Sequence, residues 1–243
     1  TVLDFIGNHN KAFLIAIALN GARYYDKVSL KVAVSKQFRN VPGCTNIQMD
    51  RIAQERILEQ LNNENFNTMA YLKEEYNEFK ILNSGRVPYR LMDYVRFDGS
   101  PDPIKFIDKE KTYLGFVAKV EKDDRLKKLL ENKDFEKILK ELSGKLPIKR
   151  IYEYCIMKYL LSHESINLHQ AKNEIHKYME SVNDESIEHS FRYLNQDYYD
   201  VGQLQRTVKC VELKGNILYR TDEFTRIIFD KEYRKYIEDV LNY

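Results

Sequence analysis

Apolar residues recur every three or four positions along most of this chain, which is the spacing of helices that bury one face. Lys11–Asn20 is evenly apolar and is closed by Gly21, and Asp26 is placed to cap a helix over Lys27–Phe38. A loop over Arg39–Gly43 and a short strand at Ile47-Gln48-Met49 follow. Asp50 then caps a helix over Arg51–Leu61 with Ile52, Ile57, Leu58 and Leu61 near one stripe. Met69, Leu72, Tyr76 and Phe79 predict a helix over Phe66–Leu82, which Ser84-Gly85-Arg86-Val87-Pro88 breaks. A short helix over Arg90–Arg96 and a turn-rich stretch, Asp98–Pro103, lead to Tyr113–Val120, which suits a helix or a strand equally. Arg125–Leu142 reads as one helix with Leu126, Leu129, Leu130, Ile138, Leu139 and Leu142 inward, and Gly144-Lys145-Leu146-Pro147 reads as a boundary.

The last hundred residues change rhythm. Helices are expected over Ile148–Leu161, over Ile166–Met179 with Ser165 as cap, and over Glu185–Asn195 with Asn183 or Asp184 as cap. Val208–Leu213 and Ile217–Arg220 are β-prone and are joined by Lys214-Gly215-Asn216, a hairpin signal. Two short helices, Glu223–Phe229 and Glu232–Leu241, finish the chain. Three helices and a hairpin follow the order of a winged helix. The expected fold class is therefore mainly α: a multi-helical domain, then a winged-helix-like α+β domain with a β-hairpin. The chain opens on another β-prone run, Val2-Leu3-Asp4-Phe5-Ile6, stopped by Gly7-Asn8, and this reads as a strand whose neighbours are missing.

Composition narrows the class without naming a chemistry. Of 243 residues, 43% are hydrophobic and 31% charged, too apolar for disorder. A net charge of +2 excludes a polybasic tail but not a local basic face. The three cysteines, Cys44, Cys155 and Cys210, form no Cys-x-x-Cys pair and read as free thiols in a reducing cytoplasm. Ala12–Leu19 is the longest apolar run, too short for a membrane span.

Candidate chemistry is thin. No Gly-x-x-x-x-Gly-Lys-Ser/Thr loop is present, so ATP hydrolysis is not expected of these residues. Asp184-Glu185-Ser186 mimics part of an Asp-Glu-x-His box but reads better as a helix cap. Asp200 with Glu212-Leu213-Lys214 fits a loose nuclease pattern in which two carboxylates hold a divalent metal and the lysine orients water. Against it, only a hairpin is visible around it, and Lys214 sits in a turn. His163, His169, His176 and His189 lack further ligands at zinc spacing, so no metal site is expected from them. Asp4, a carboxylate in an apolar strand, is either catalytic or a structural hydrogen-bond acceptor. For nucleic acid the candidates are Arg192 and His189 on the third helix, Asn195 and Gln196 beyond it, and Arg206, Lys209, Lys214 and Arg220 on the wing. Tyr193, Tyr198, Tyr199 and Tyr219 suit stacking on unpaired bases, and equally suit packing. Arg86 and Arg90 form a second basic spot, whereas Arg51 and Arg56 fit helix-face pairs with Glu55 and Glu59.

Two stretches carry a resemblance. Thr1-Val2-Leu3-Asp4-Phe5-Ile6-Gly7-Asn8 and Pro42-Gly43-Cys44 through Asp50-Arg51-Ile52-Ala53-Gln54-Glu55-Arg56 resemble the segment after the last helicase motif in a group of bacterial superfamily 2 DEAD/DEAH-like helicases. It is specific over about residues 1–60 and looser at Ser84–Pro103 and Leu142–Lys145. The resemblance implies that residues 1–25 end or lean on the second RecA-like lobe, that 26–145 form a helical accessory domain, and that 146–243 form the winged-helix-like domain. It implies a piece of a longer cytoplasmic hydrolase. The whole protein would use ATP and magnesium to move on DNA, while this region would hold no cofactor. Its implied partners are duplex or single-stranded DNA and the helicase core of the same protein, with no membrane. A metal-dependent nuclease and a protein-interaction scaffold are the alternatives.

Overall fold

The computed structural model describes residues 12–20, 27–38, 47–63, 66–97, 100–148 and 150–243. The opening strand with Asp4, the Gly21 and Asp26 helix boundaries, the 39–43 loop, Cys44 and the Pro42–Thr45 part of the resemblance lie outside them. The fold is mainly helical, with fifteen helices and a three-stranded antiparallel sheet among the described residues. The chain divides into two compact units, Thr1–Ser84 with Gly99–Asp102, and Gly85–Asp98 with Pro103–Tyr243.

The first unit holds α1 (Phe13–Asn20), α2 (Lys27–Ser35), α3 (Arg51–Asn63) and α4 (Met69–Leu82). Phe13, Ala16, Leu30, Val34, Ile57 and Leu61 bury one shared core, with Phe13 and Phe66 rings 5.5 Å apart. Asp50 caps α3 as its position suggests, its Oδ1 accepting the Ala53 amide at 2.9 Å. Arg51 pairs with Glu55 at 2.8 Å on the exposed face. Ile47–Met49, read as a strand in the sequence, is irregular chain. Three residues carry too little signal to separate a strand from a loop.

The second unit begins with α5 (Met92–Val95), α6 (Ile104–Glu110), α7 (Tyr113–Val120), α8 (Asp124–Leu130) and α9 (Lys133–Ser143). Tyr94, Phe106, Tyr113 and Phe116 form its aromatic centre, where Phe106 and Phe116 stack at 4.4 Å. Thr112 settles the ambiguous run at 113–120 as a helix: its hydroxyl caps the Gly115 amide at 3.0 Å. A side chain at Gly115 would come within 2.9 Å of that oxygen. The single helix expected over 125–142 is two, because Asn132 breaks it and caps α9.

Next come α10 (Tyr152–Leu160), β1 (Ser165–Asn167), α11 (Leu168–His176), α12 (Asp184–Leu194), α13 (Val201–Arg206), β2 (Val211–Lys214) and β3 (Ile217–Arg220). The strand order is β1-β3-β2, with Ile166 opposite Leu218 and Leu218 opposite Leu213. Helix, strand, two helices and a hairpin whose second strand lies central is winged-helix topology, here with the short α13 added before the hairpin. Gly215 turns the hairpin at φ +59°. Ser165 is not a helix cap: it starts β1, and Asn167 caps α11 in a reciprocal capping box with Gln170.

The final helices, α14 (Asp222–Phe229) and α15 (Lys231–Asn242), pack back on α9 and α10. Phe135 stacks on Tyr233 at 4.4 Å. Buried Asp239 on α15 accepts the Leu91 amide at 2.7 Å and the Met92 amide at 3.4 Å. Gly144–Pro147 thus lies inside one compact unit, in which α9 contacts α14 and α15.

Candidate functional site

The connection between α9 and α10 and one side of α12 line an open pocket of about 510 Å³. The spacing along α12 builds one wall. Ile187, Phe191 and Leu194 face the core, which turns His189 and Tyr193, four apart, toward the connection. Pro147, Ile148 and Tyr154 line the other side.

Lys145 forms the floor. Its Nζ donates to Glu141 Oε1 at 2.7 Å, to the Tyr199 hydroxyl at 3.2 Å and to the Tyr193 hydroxyl at 3.4 Å. It also lies 4.4 Å from the Tyr193 ring centre. The Tyr199 hydroxyl donates in turn to Glu141 Oε1. The lysine and glutamate side chains are only 11% and 14% exposed. Burial works against the Lys145 charge, but the Glu141 carboxylate and the tyrosine oxygens hold its pKa above the ordinary lysine value. Burial first, and then the Glu141 hydrogen bond, push the Tyr199 phenol up, and burial does the same to Tyr154. This floor stays a lysinium beside the neutral Tyr199 and Tyr154 phenols.

Arg150, Glu153 and His189 form the lip. Arg150 Nη2 donates to Glu153 Oε1 at 2.5 Å and meets His189 Nδ1 at 3.3 Å. A guanidinium only donates, so Nδ1 is the acceptor of that contact. The His189 ring stacks on Tyr198 at 5.2 Å, and Tyr198 is 53% exposed.

A family of proteins shares most of this architecture. DUF8090, a domain of unknown function, matches residues 72–243. The chain belongs to that family. Searches of curated proteins and of solved structures returned no match.

The DUF8090 region contains the pocket and every wing residue, so the positions singled out in the sequence can be placed within it. Asn195 holds the wing: its Oδ1 accepts the Leu213 amide at 2.8 Å and its Nδ2 donates to Asp197. Gln196 is buried in the left-handed region at φ +68°, with Nε2 donating to Val208 O at 3.4 Å. Arg220 donates from Nη1 to Leu160 O at 3.3 Å and is half-buried. These three, expected as contacts to nucleic acid, fasten α12, α10 and the hairpin together. Arg192, Arg206, Lys209 and Lys214 are exposed, as are Arg86 and Arg90 before α5.

The residues of the nuclease pattern each take a local role. Asp200 is the N-cap of α13, in a reciprocal capping box with Gln203. Glu212 and Lys214 pair with each other at 2.8 Å on the solvent face of β2. Among the described residues no group of three or more His, Cys, Asp or Glu could hold a metal. His163 donates to Tyr159 O, and His176 to Met179 O, within their own segments. Burial pushes the Cys155 thiol up to about 11 and the Cys210 thiol up to about 12, leaving both as unreactive thiols. No described helix is long and apolar enough to cross a membrane.

Lys145, Arg150, Glu153 and Tyr154 were not among the sequence candidates. The Asn195 placement carries its own test. Asn195→Ala is expected to lower stability by about 1 kcal/mol, because the Leu213 amide loses its acceptor. The same variant should leave nucleic-acid retention in a gel shift unchanged. A large loss of retention without loss of stability would return Asn195 to the contact surface.

Proposed function

We propose that this chain is an accessory, non-motor region of a bacterial superfamily 2 helicase, and that its winged helix docks protein, coupling the motor to another domain, rather than reading duplex DNA. The helicase setting rests on the resemblance around residues 1–60. In that setting ATP and magnesium belong to the motor lobes and the whole protein is cytoplasmic.

One observation carries the docking role. The helix that would enter a major groove, α12, exposes Glu185 and Glu188, and Asp184 paired with Lys172 at 2.6 Å, against a single guanidinium, Arg192. Phosphate repels such a face, since duplex affinity comes from cations that displace counterions. On the wing, Lys214 is paired with Glu212. Beside them, Leu168, Phe191 and Leu213 line a small groove of about 130 Å³ between α12 and the hairpin, suited to an apolar side chain from a protein.

The test uses the full 243-residue chain against a labelled duplex over a salt series, and against the separately expressed motor lobes by calorimetry. Saturable binding to the motor lobes is expected. Duplex binding is expected to be weak, and Arg192→Ala with Lys214→Ala should alter it by less than about twofold. Tight duplex binding that falls steeply with salt and is lost in the double variant would overturn the docking role. Failure to bind the motor lobes would remove the helicase setting.

A further inference from the structure

The pocket beside α12 lies apart from the surface just discussed, and its chemistry points elsewhere. Its charges cancel locally. Lys145 is matched by Glu141 and Arg150 by Glu153. Among the described lining residues, a phosphate or a free carboxylate would find no uncompensated cation. A lipid tail would meet a lysinium floor. What the pocket offers is aromatic wall and a lip that both donates and accepts. Tyr154 and Tyr193 line it together with Pro147 and Ile148. At the lip, a guanidinium and a carboxylate stand side by side, with an imidazole next to them.

A flat, neutral heteroaromatic ring with donors and acceptors on its edge satisfies all of these groups. Its face packs on the tyrosines and its edge meets Arg150, Glu153 and His189. We propose that this pocket takes an unpaired nucleobase. The volume of about 510 Å³ falls in the range of small-molecule sites and leaves room for the attached sugar outside the ring. A base already in a duplex is excluded, because its edge is occupied by its partner. Immediately outside, the stacked His189–Tyr198 pair presents an exposed ring, a platform for a second base. The ligand chemistry is the same whether the base belongs to a free nucleoside or to a single strand. The inference rests on the pocket alone and is independent of the helicase setting.

The experiment measures the full chain against the four nucleosides by calorimetry and against a short fluorescein-labelled single strand by anisotropy. Three variants separate ring stacking from scaffold effects. Tyr193→Phe and Tyr193→Leu both lose the hydroxyl that meets Lys145, but only the first keeps the ring. Binding is expected to survive in Tyr193→Phe and to weaken about tenfold or more in Tyr193→Leu, the loss of one base-stacking contact. Arg150→Gln should change the preference among the four bases. Circular dichroism melts confirm that each variant is folded. Binding of both ligands supports the pocket with either source. Binding of the strand alone assigns the source to nucleic acid, and binding of nucleosides alone assigns it to free metabolites. No saturable binding of either ligand, or equal binding by Tyr193→Phe and Tyr193→Leu, overturns the proposal.

Discussion

Lys145→Met is expected to destabilise the second unit by about 3 kcal/mol, the typical cost of removing one partner from a buried ion pair. The substitution keeps the aliphatic stem but strands Glu141, whose side chain is 14% exposed, with only the Tyr199 hydroxyl to satisfy it. The penalty comes from the uncompensated carboxylate more than from lost attraction. Adding Glu141→Leu should therefore recover most of the loss, since an apolar pair of similar volume costs no desolvation. Urea titrations followed by circular dichroism measure both variants. A single variant within about 1 kcal/mol of the parent, or a double variant as damaged as the single, would show that the pair is solvated and the floor of the pocket open.

Asp239 gives the second large effect, read through pH. Burial raises its pKa from 3.8 to about 6, and the Asp93 charge acts in the same direction. The Leu91 and Met92 amides and the Arg90 charge only partly oppose this. Below about pH 4 the carboxyl is protonated whether the chain is folded or not. Between about 4 and 6 the folded protein keeps a proton that the unfolded chain releases, so stability falls as pH rises through that window. Above it the full cost, about 3 kcal/mol, remains. Asp239→Asn can still accept an amide hydrogen bond and carries no charge. The parent's stability minus that of the variant should fall by about 2–3 kcal/mol between pH 4 and pH 7. A difference independent of pH would mean that Asp239 ionises as easily in the folded state as in the unfolded chain.

Long periodic segments and the hairpin were legible from residue order because local rules decide them. The apolar stripe of α12 and the Lys214-Gly215-Asn216 turn act within a few residues. Three features were not read correctly, yet each had a local signal. Asn167 and Gln170 form the capping box that marks where β1 ends and α11 begins. Asp200 and Gln203 form another, which marks the start of α13. Asn132 announces the break between α8 and α9. By contrast, α6 follows Pro101 and Pro103 and buries the consecutive Ile104, Lys105, Phe106 and Ile107, so no helical spacing betrayed it. The pocket was beyond reach for another reason. Lys145 meets Tyr199 across 54 positions, and Arg150 meets His189 across 39. Nothing in either neighbourhood encodes such a meeting until the helices have packed.

The caps also bear on how the second unit tolerates change. Thr112, Asp123, Asn132, Asn167, Asn183, Asp200, Thr221 and Asp230 each receive an amide at a helix start. Start points are thus written into the joints themselves, each worth about 1 kcal/mol. Such a chain can vary its core by conservative exchange and still mark where these eight helices begin. A graft that swaps the joints for neutral linker of equal length would blur those beginnings while leaving the interior untouched.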